Sequence, residues 1–157
     1  MSATLIDHYA FGGEKLAAAI RGLSEEDLKA KPVPGKWSTQ QVVIHLMDAE
    51  MAFADRIKRV VATDNPPLLA WDENKFSANL FYEEQSTEDA VKLIDLTRRQ
   101  VTKILRRLPA EAFDRSGMHS EAGKLTLTQI VAKANDHLEH HLKFINEKRE
   151  ALGKLMW

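Results

Sequence analysis

The stretch Ser38-Thr-Gln-Gln41-Val-Val-Ile-His45-Leu-Met-Asp48-Ala-Glu50-Met-Ala-Phe53-Ala-Asp-Arg56-Ile-Lys-Arg-Val-Val-Ala62 decides how this chain is read. Ser38 is a natural N-cap, and Gln41 stands three residues later, completing a capping box. Val42, His45, Ala49, Ala52, Phe53 and Arg56 then recur at helical spacing, without an internal proline or glycine. Pro66-Pro67 end the run. The spacing predicts a helix over Thr39–Ala62, about 36 Å long at about 1.5 Å per residue, enough to span a domain.

Three further helices follow from the same logic. The first covers about Thr4 to Gly22, with Leu5, Ile6, Tyr9, Leu16 and Ile20 inward and Gly12-Gly13 as a weak point or a close helix contact. Ser86-Thr-Glu-Asp89 opens another, which runs to about Arg107 with Val91, Ile94, Val101, Ile104, Leu105 and Leu108 on its apolar face. Thr126 and Gln129 repeat the capping box for the last, which runs to about Leu152. Strand spacing occurs almost nowhere. The connections are long. Residues 23–36 hold Ser24-Glu-Glu-Asp27, a short capped turn, and residues 63–85 hold a short helix near Asp72 to Phe81. The expected fold is all-α: a four-helix bundle with one or two crossovers, formed by residues 1–157 as a single domain.

Composition narrows the function classes. With 157 residues, 44% hydrophobic and 29% charged, the chain can build a core and is too apolar for disorder. Lys plus Arg is 22 and Asp plus Glu is 23, so a net charge of -1 gives no general pull toward nucleic acid or anionic lipid. Cysteine is absent, which excludes disulfides, thiolate ligands and a cysteine nucleophile. No basic region precedes an apolar run at the start, and no stretch approaches the ~18 apolar residues of a membrane span. Composition leaves a soluble, cytoplasmic single domain, and it is the motifs that point to a small-molecule substrate.

Six histidines remain: His8, His45, His119, His137, His140 and His141. His137 and His141, four apart on one helix, project from one face with Cβ atoms about 6 Å apart. His45 lies on the inward stripe of the second helix. Each could be an ordinary core or rim histidine, but burying several imidazoles without partners is costly, and a divalent ion takes up their lone pairs. Three histidines without thiolate leave positions for water or substrate, the pattern of catalytic rather than structural sites. Imidazole suits nickel, zinc, iron and copper alike. His140 reads as a rim residue, and His8 and His119 as solvated. Glu139 points about 200° from His137 around the helix, at about 100° per residue, so a His-Glu-x-x-His protease site is a poor reading. Asp48 could orient a ring nitrogen or act as a base; a solvated residue is the simpler choice. Trp37 reads as a seal at the start of the second helix. Trp71 and Asp72, on the long loop, could cover the site or merely pack, and Trp157 could be frayed or at an interface.

Gly35-Lys-Trp-Ser38 with Val42-x-x-His45-Leu-x-Asp48-x-Glu50, then Leu125-Thr126 and His137-x-x-x-His141 with the extra His140, resembles the DinB/YfiT-like four-helix-bundle family over nearly the whole chain. The resemblance implies a divalent metal, nickel or zinc foremost, held by His45, His137 and His141. It also implies thiol transferase or isomerase chemistry with an external low-molecular-weight thiol, and homodimers are common in the family. A thiol would have to come from outside, since this chain has none; water in the open position would make a hydrolase instead. A non-enzymatic metal-binding or stress-related bundle is the reading from another class, and a metal-free bundle with polar core histidines is a third.

Overall fold

The computed structural model describes residues 3–155; Trp157 lies outside them. Among the described residues seven α-helices form, α1 (Ala3–Ala10), α2 (Gly12–Ile20), α3 (Glu25–Lys29), α4 (Thr39–Ala62), α5 (Glu73–Asn79), α6 (Thr87–Leu105) and α7 (Leu127–Ala151), with a 3-10 turn at Ala110–Asp114. Both expected capping boxes are present. The Gln41 amide donates to Ser38 Oγ at 3.1 Å and the Ser38 amide to Gln41 Oε1 at 2.9 Å. Gln129 and Thr126 exchange the same pair at 3.2 and 2.9 Å. These bonds satisfy amide donors that the first turn leaves free.

The bundle consists of α1 with α2, α4, α6 and α7. Helices α6 and α7 each pack on both α4 and the α1–α2 pair. The N-terminal pair therefore sits diagonally from α4, and α6 diagonally from α7. A diagonal crossing needs a long connection, which explains residues 21–38 and 106–126. Among the described residues, no helix is long and apolar enough to cross a membrane.

A small sheet accompanies the expected all-α bundle. Strands β1 (Pro67–Leu68), β2 (Ser116–His119) and β3 (Gly123–Thr126) pair in the order β1-β2-β3, the first pair parallel and the second antiparallel. Strands of two and four residues are too short to carry a readable period. The sheet ties the loop after α4 to the approach of α7. Gly117 permits this, since a Cβ there would lie 2.8 Å from the Pro66 carbonyl.

Two apolar clusters fill the bundle. Ala54, Ile57, Val60, Val101, Leu105, Ile130 and Val131 belong to one, and Val42, Val43, Leu46, Ala90, Ile94, Leu138 and Ile145 to the other. Between these levels lies a polar layer built on Arg98, which is 2% exposed. Its Nε donates to Glu50 Oε2 at 2.8 Å, Nη1 to the Tyr9 carbonyl at 3.2 Å and Nη2 to the Ala134 carbonyl at 3.2 Å. One side chain of α6 thus bonds α4, α1 and α7. Tyr9 Oη donates to the other Glu50 oxygen. The Tyr9 carbonyl is free for this role because α1 stops at Ala10.

The glycine pair is a close helix contact. A Cβ on Gly12 would lie 2.0 Å from Arg98 Nη1, and one on Gly13 would lie 2.8 Å from the Asp95 Cα. An alanine in a helix ordinarily gains about 1 kcal/mol over glycine. Here Gly12→Ala should instead destabilise by about 1–3 kcal/mol, because the guanidinium must move. Arg98→Met, which leaves Glu50 buried without its partner, should cost about 3–5 kcal/mol. Urea unfolding of both variants measures this, and a stabilised Gly12→Ala would refute the packing described.

Candidate metal centre

His45 sits on α4 and is fully buried; His137 and His141 sit one turn apart on α7. The packing of α4 on α7 brings the three rings together. His45 Nε2 lies 3.1 Å from the Nε2 of both His137 and His141. All three ligand-capable nitrogens fall within 4.8 Å of one another. Nitrogens about 2.1 Å from a shared ion stand about 3.0 Å apart at right angles and about 3.4 Å apart in a tetrahedron. The observed spacing lies between these two values.

Burial is the first cause of the acid shift at each ring, and neighbouring cationic forms add to it. His45 is pushed down to about 4, with His137 as its neighbour. His137 is also pushed to about 4, by burial and then by His140 and Arg98. His141 is pushed to about 3, by burial and then by His45, His137 and His140. All three are therefore uncharged at pH 7, and the tautomer with its proton on Nδ1 turns the Nε2 lone pair of each ring toward the shared space. Such a donor set fits a divalent cation. The Nδ1 atoms of His45 and His141 are buried without a protein hydrogen-bond partner.

Aromatic rings frame the group. Trp37 stands 5.2 Å from the His45 ring, Trp71 5.5 Å from it, and Phe53 5.9 Å from the His137 ring. Trp37 does adjoin the start of α4, yet it also borders the histidines, which the seal reading did not include. Trp71 lies against His45, so its loop covers the centre. Asp72 is not at the group; it caps α5, accepting from the Asn74 and Lys75 amides at 3.0 and 3.1 Å. Asp48 is half-buried rather than solvated and accepts from Tyr82 Oη at 2.5 Å, which keeps it away from the imidazoles' nitrogens. That bond, after burial, raises the Tyr82 pKa. His140 is exposed on the rim, its ring 5.4 Å from that of His141. Glu139 pairs with Lys15 on the outside of the bundle. His8 is exposed, and His119 accepts from the Glu121 and Ala122 amides at 3.2 Å within its own turn.

Two functional candidates escaped the sequence reading. Glu73 opens α5, and its Oε2 lies 3.8 Å from His45 Nε2. No long apolar stripe marked it, because α5 has only seven residues, none of them buried, and is brought over α4 by tertiary packing. Lys148 is buried in α7 and lines the same cavity of about 380 Å³ as His137, His141, Glu73 and Trp37. It falls seven residues after His141, on the same helix face, a signal the sequence did carry.

The sequence profile described as the DinB superfamily matches residues 8–145. The chain belongs to the DinB superfamily. A relative from Oceanobacillus iheyensis, named as a proposed metal-dependent hydrolase, is 27% identical over 135 residues, covering 83% of this chain and 75% of its own. A relative from Bacillus mycoides with the same kind of name is 26% identical over 139 residues, covering 88% and 80%. Among solved structures, YfiT from Bacillus subtilis superposes with a TM-score of 0.89 at 23% identity, covering 98% of this chain and 90% of that one. It is described as a proposed metal-dependent hydrolase with an unusual four-helix-bundle topology. The DinB-like protein YjoA, also from Bacillus subtilis, superposes with a TM-score of 0.64 at 19% identity, covering 96% and 92%. Both likenesses establish the shared DinB fold.

The buried rings make the metal-free DinB-superfamily chain acid-sensitive. A histidine titrating near 4 when folded and near 6.5 when unfolded binds fewer protons in the folded state between those values. Stability is therefore full above the unfolded value and falls as pH drops from 6.5 toward 4. Thermal melts of chelated protein should show Tm falling over that window, with a shallower slope in His137→Gln. An equal slope in both would contradict burial of this ring.

Proposed function

We propose that this chain is a metal-dependent hydrolase of small molecules, with His45, His137 and His141 as the ligands of a divalent ion. The convergence of three neutral imidazole nitrogens beside a cavity of about 380 Å³ carries this reading. The names of the relatives from two genera point the same way. When bound, such an ion supplies Lewis acidity toward a carbonyl or phosphoryl oxygen and eases deprotonation of water. Zinc, nickel and iron all accept three imidazoles, and zinc or nickel is the choice favoured here.

The chain's own residues do the rest. Three histidines, fixed by the packing of α4 on α7, leave the remaining coordination positions for small ligands. Glu73 is set to act as general base: it takes the proton of the attacking water and returns it to the leaving group as the acyl or phosphoryl bond breaks. Trp37 and Trp71 limit bulk water around His45, which strengthens the electrostatics inside. The hydrolase names of the relatives from Oceanobacillus and Bacillus lend the expected thiol-transfer reaction no support, so hydrolysis is the leading chemistry.

Metal analysis of dialysed protein should find about one divalent ion per chain in the wild type and none in His45→Ala. Chelation should lower the wild-type Tm, since an ion bound to the native state stabilises it. Glu73→Gln should keep its metal while losing about 100-fold in kcat on carboxyl or phosphate esters, assayed with and without added low-molecular-weight thiol. Equal metal content in the wild type and His45→Ala would overturn the ligand assignment. Turnover that needs the thiol would overturn hydrolysis.

A further inference from the structure

Lys148 is the one lysine among the described residues that is fully covered, at 3% exposure. Its Nζ donates to the Phe144 carbonyl of its own helix at 3.3 Å. No carboxylate of the described residues lies within 4 Å of it. An ammonium carries three donors, and burying one without a counter-charge destabilises a fold. The other buried cations are better matched: Arg98 pairs with Glu50, and Arg149 donates to the Ala19 and Arg21 carbonyls at 3.2 and 2.9 Å, whereas Lys148 has one long carbonyl contact and the Phe144 ring 5.8 Å away. Lys148 instead lines the cavity of the three-histidine group, together with Phe144 and Lys36. Lys36 is exposed and comes from the loop before α4. Glu147 also lines the cavity, but it is exposed and outside ion-pairing range of Lys148. Burial lowers the Lys148 pKa first, Glu147 opposes that, and Lys36 adds a smaller lowering, so both charged neighbours are close enough to be felt. Seven residues along α7 separate His141 from Lys148, about 10 Å at about 1.5 Å per residue.

We infer that Lys148, with Lys36 at the cavity mouth, forms an oxyanion-binding subsite, so that the substrate is a small molecule bearing a carboxylate or phosphate on the order of 10 Å from the bond cut at the histidine group. The word substrate rests on the hydrolase reading; the binding of the anion does not. The incoming oxyanion supplies the counter-charge that the fold withholds, and a desolvated ammonium holds it more firmly than a surface lysine would.

Inorganic phosphate and glutarate are titrated into the full-length, chelator-treated chain, with binding followed by NMR chemical shifts at α7. At least one probe should bind the wild type, and Lys148→Met should weaken it by about tenfold or more. Tighter phosphate assigns a phosphorylated substrate, and tighter glutarate a carboxylated one. Lys148→Met should also melt no lower than the wild type, because a methionine of similar volume removes a buried unpaired charge. Absence of binding to the wild type, equal binding by Lys148→Met, or a lower melting temperature in that variant would each overturn the subsite. Failure of the hydrolase assays would leave this titration unaffected, so the two readings fail separately.

Discussion

The Arg98 guanidinium, bonded to Glu50 and to two backbone carbonyls in the middle of the bundle, is the constraint on which the other packing depends. An arginine in an apolar interior is tolerable only if its donors and its charge are matched together. Here the partners come from α4, α1 and α7, so the cost of burial is offset only when all four sides of the bundle are in register. That requirement explains why α1 ends where it does, why the next residues include two glycines, and why Tyr9 turns its hydroxyl to Glu50. A sliding of α4 along α7 would break the pair and separate His45 from His137 in the same motion. Arg98 also borders the same small void as His137 and adds to the lowering of its pKa. The polar layer and the histidine group are adjoining parts of one interior.

The histidine group inverts the logic of that layer. Arg98 and Glu50 satisfy each other, whereas the three imidazoles present like groups to one another. In the tautomer with the proton on Nδ1, three lone pairs turn inward, which is unfavourable in a closed protein and favourable around a cation. Lys148 shows a similar imbalance a short way along α7, with a buried positive charge that, among the described residues, has no carboxylate within ion-pairing distance and only the more distant Glu147 to oppose it. Natural folds accept such local frustration where a ligand relieves it. The cavity therefore carries two unmet demands of opposite sign, one for a cation and one for an anion.

The α4 segment was legible because its start, face and end are all written locally: Ser38 with Gln41, the stripe from Val42 onward, and Pro66-Pro67. The α7 segment was legible for the same reason, and with it the pair His137 and His141. The three-stranded sheet was not, because two to four residues contain no period and the parallel pairing joins Pro67 to Met118 across the chain. Arg98 stood in plain view on its stripe, four residues after Ile94 and three before Val101, but a charge at a core position has no meaning until its partner is known. Glu73 offered no such clue, as the short helix it opens buries no residue and so shows no apolar stripe.

The sequence by itself determined the helices, their inward stripes and the presence of imidazoles on two of those stripes, since spacing and capping act over a few residues. The family pattern added which histidines belong together. Only the tertiary structure decided that their Nε2 atoms stand 3.1 Å apart, that Glu73 reaches them, that Asp48 bonds Tyr82 instead, and that Lys148 is buried without a counter-charge. Those facts depend on contacts between residues far apart in the chain. Loops carry such residues to positions that no local periodicity encodes.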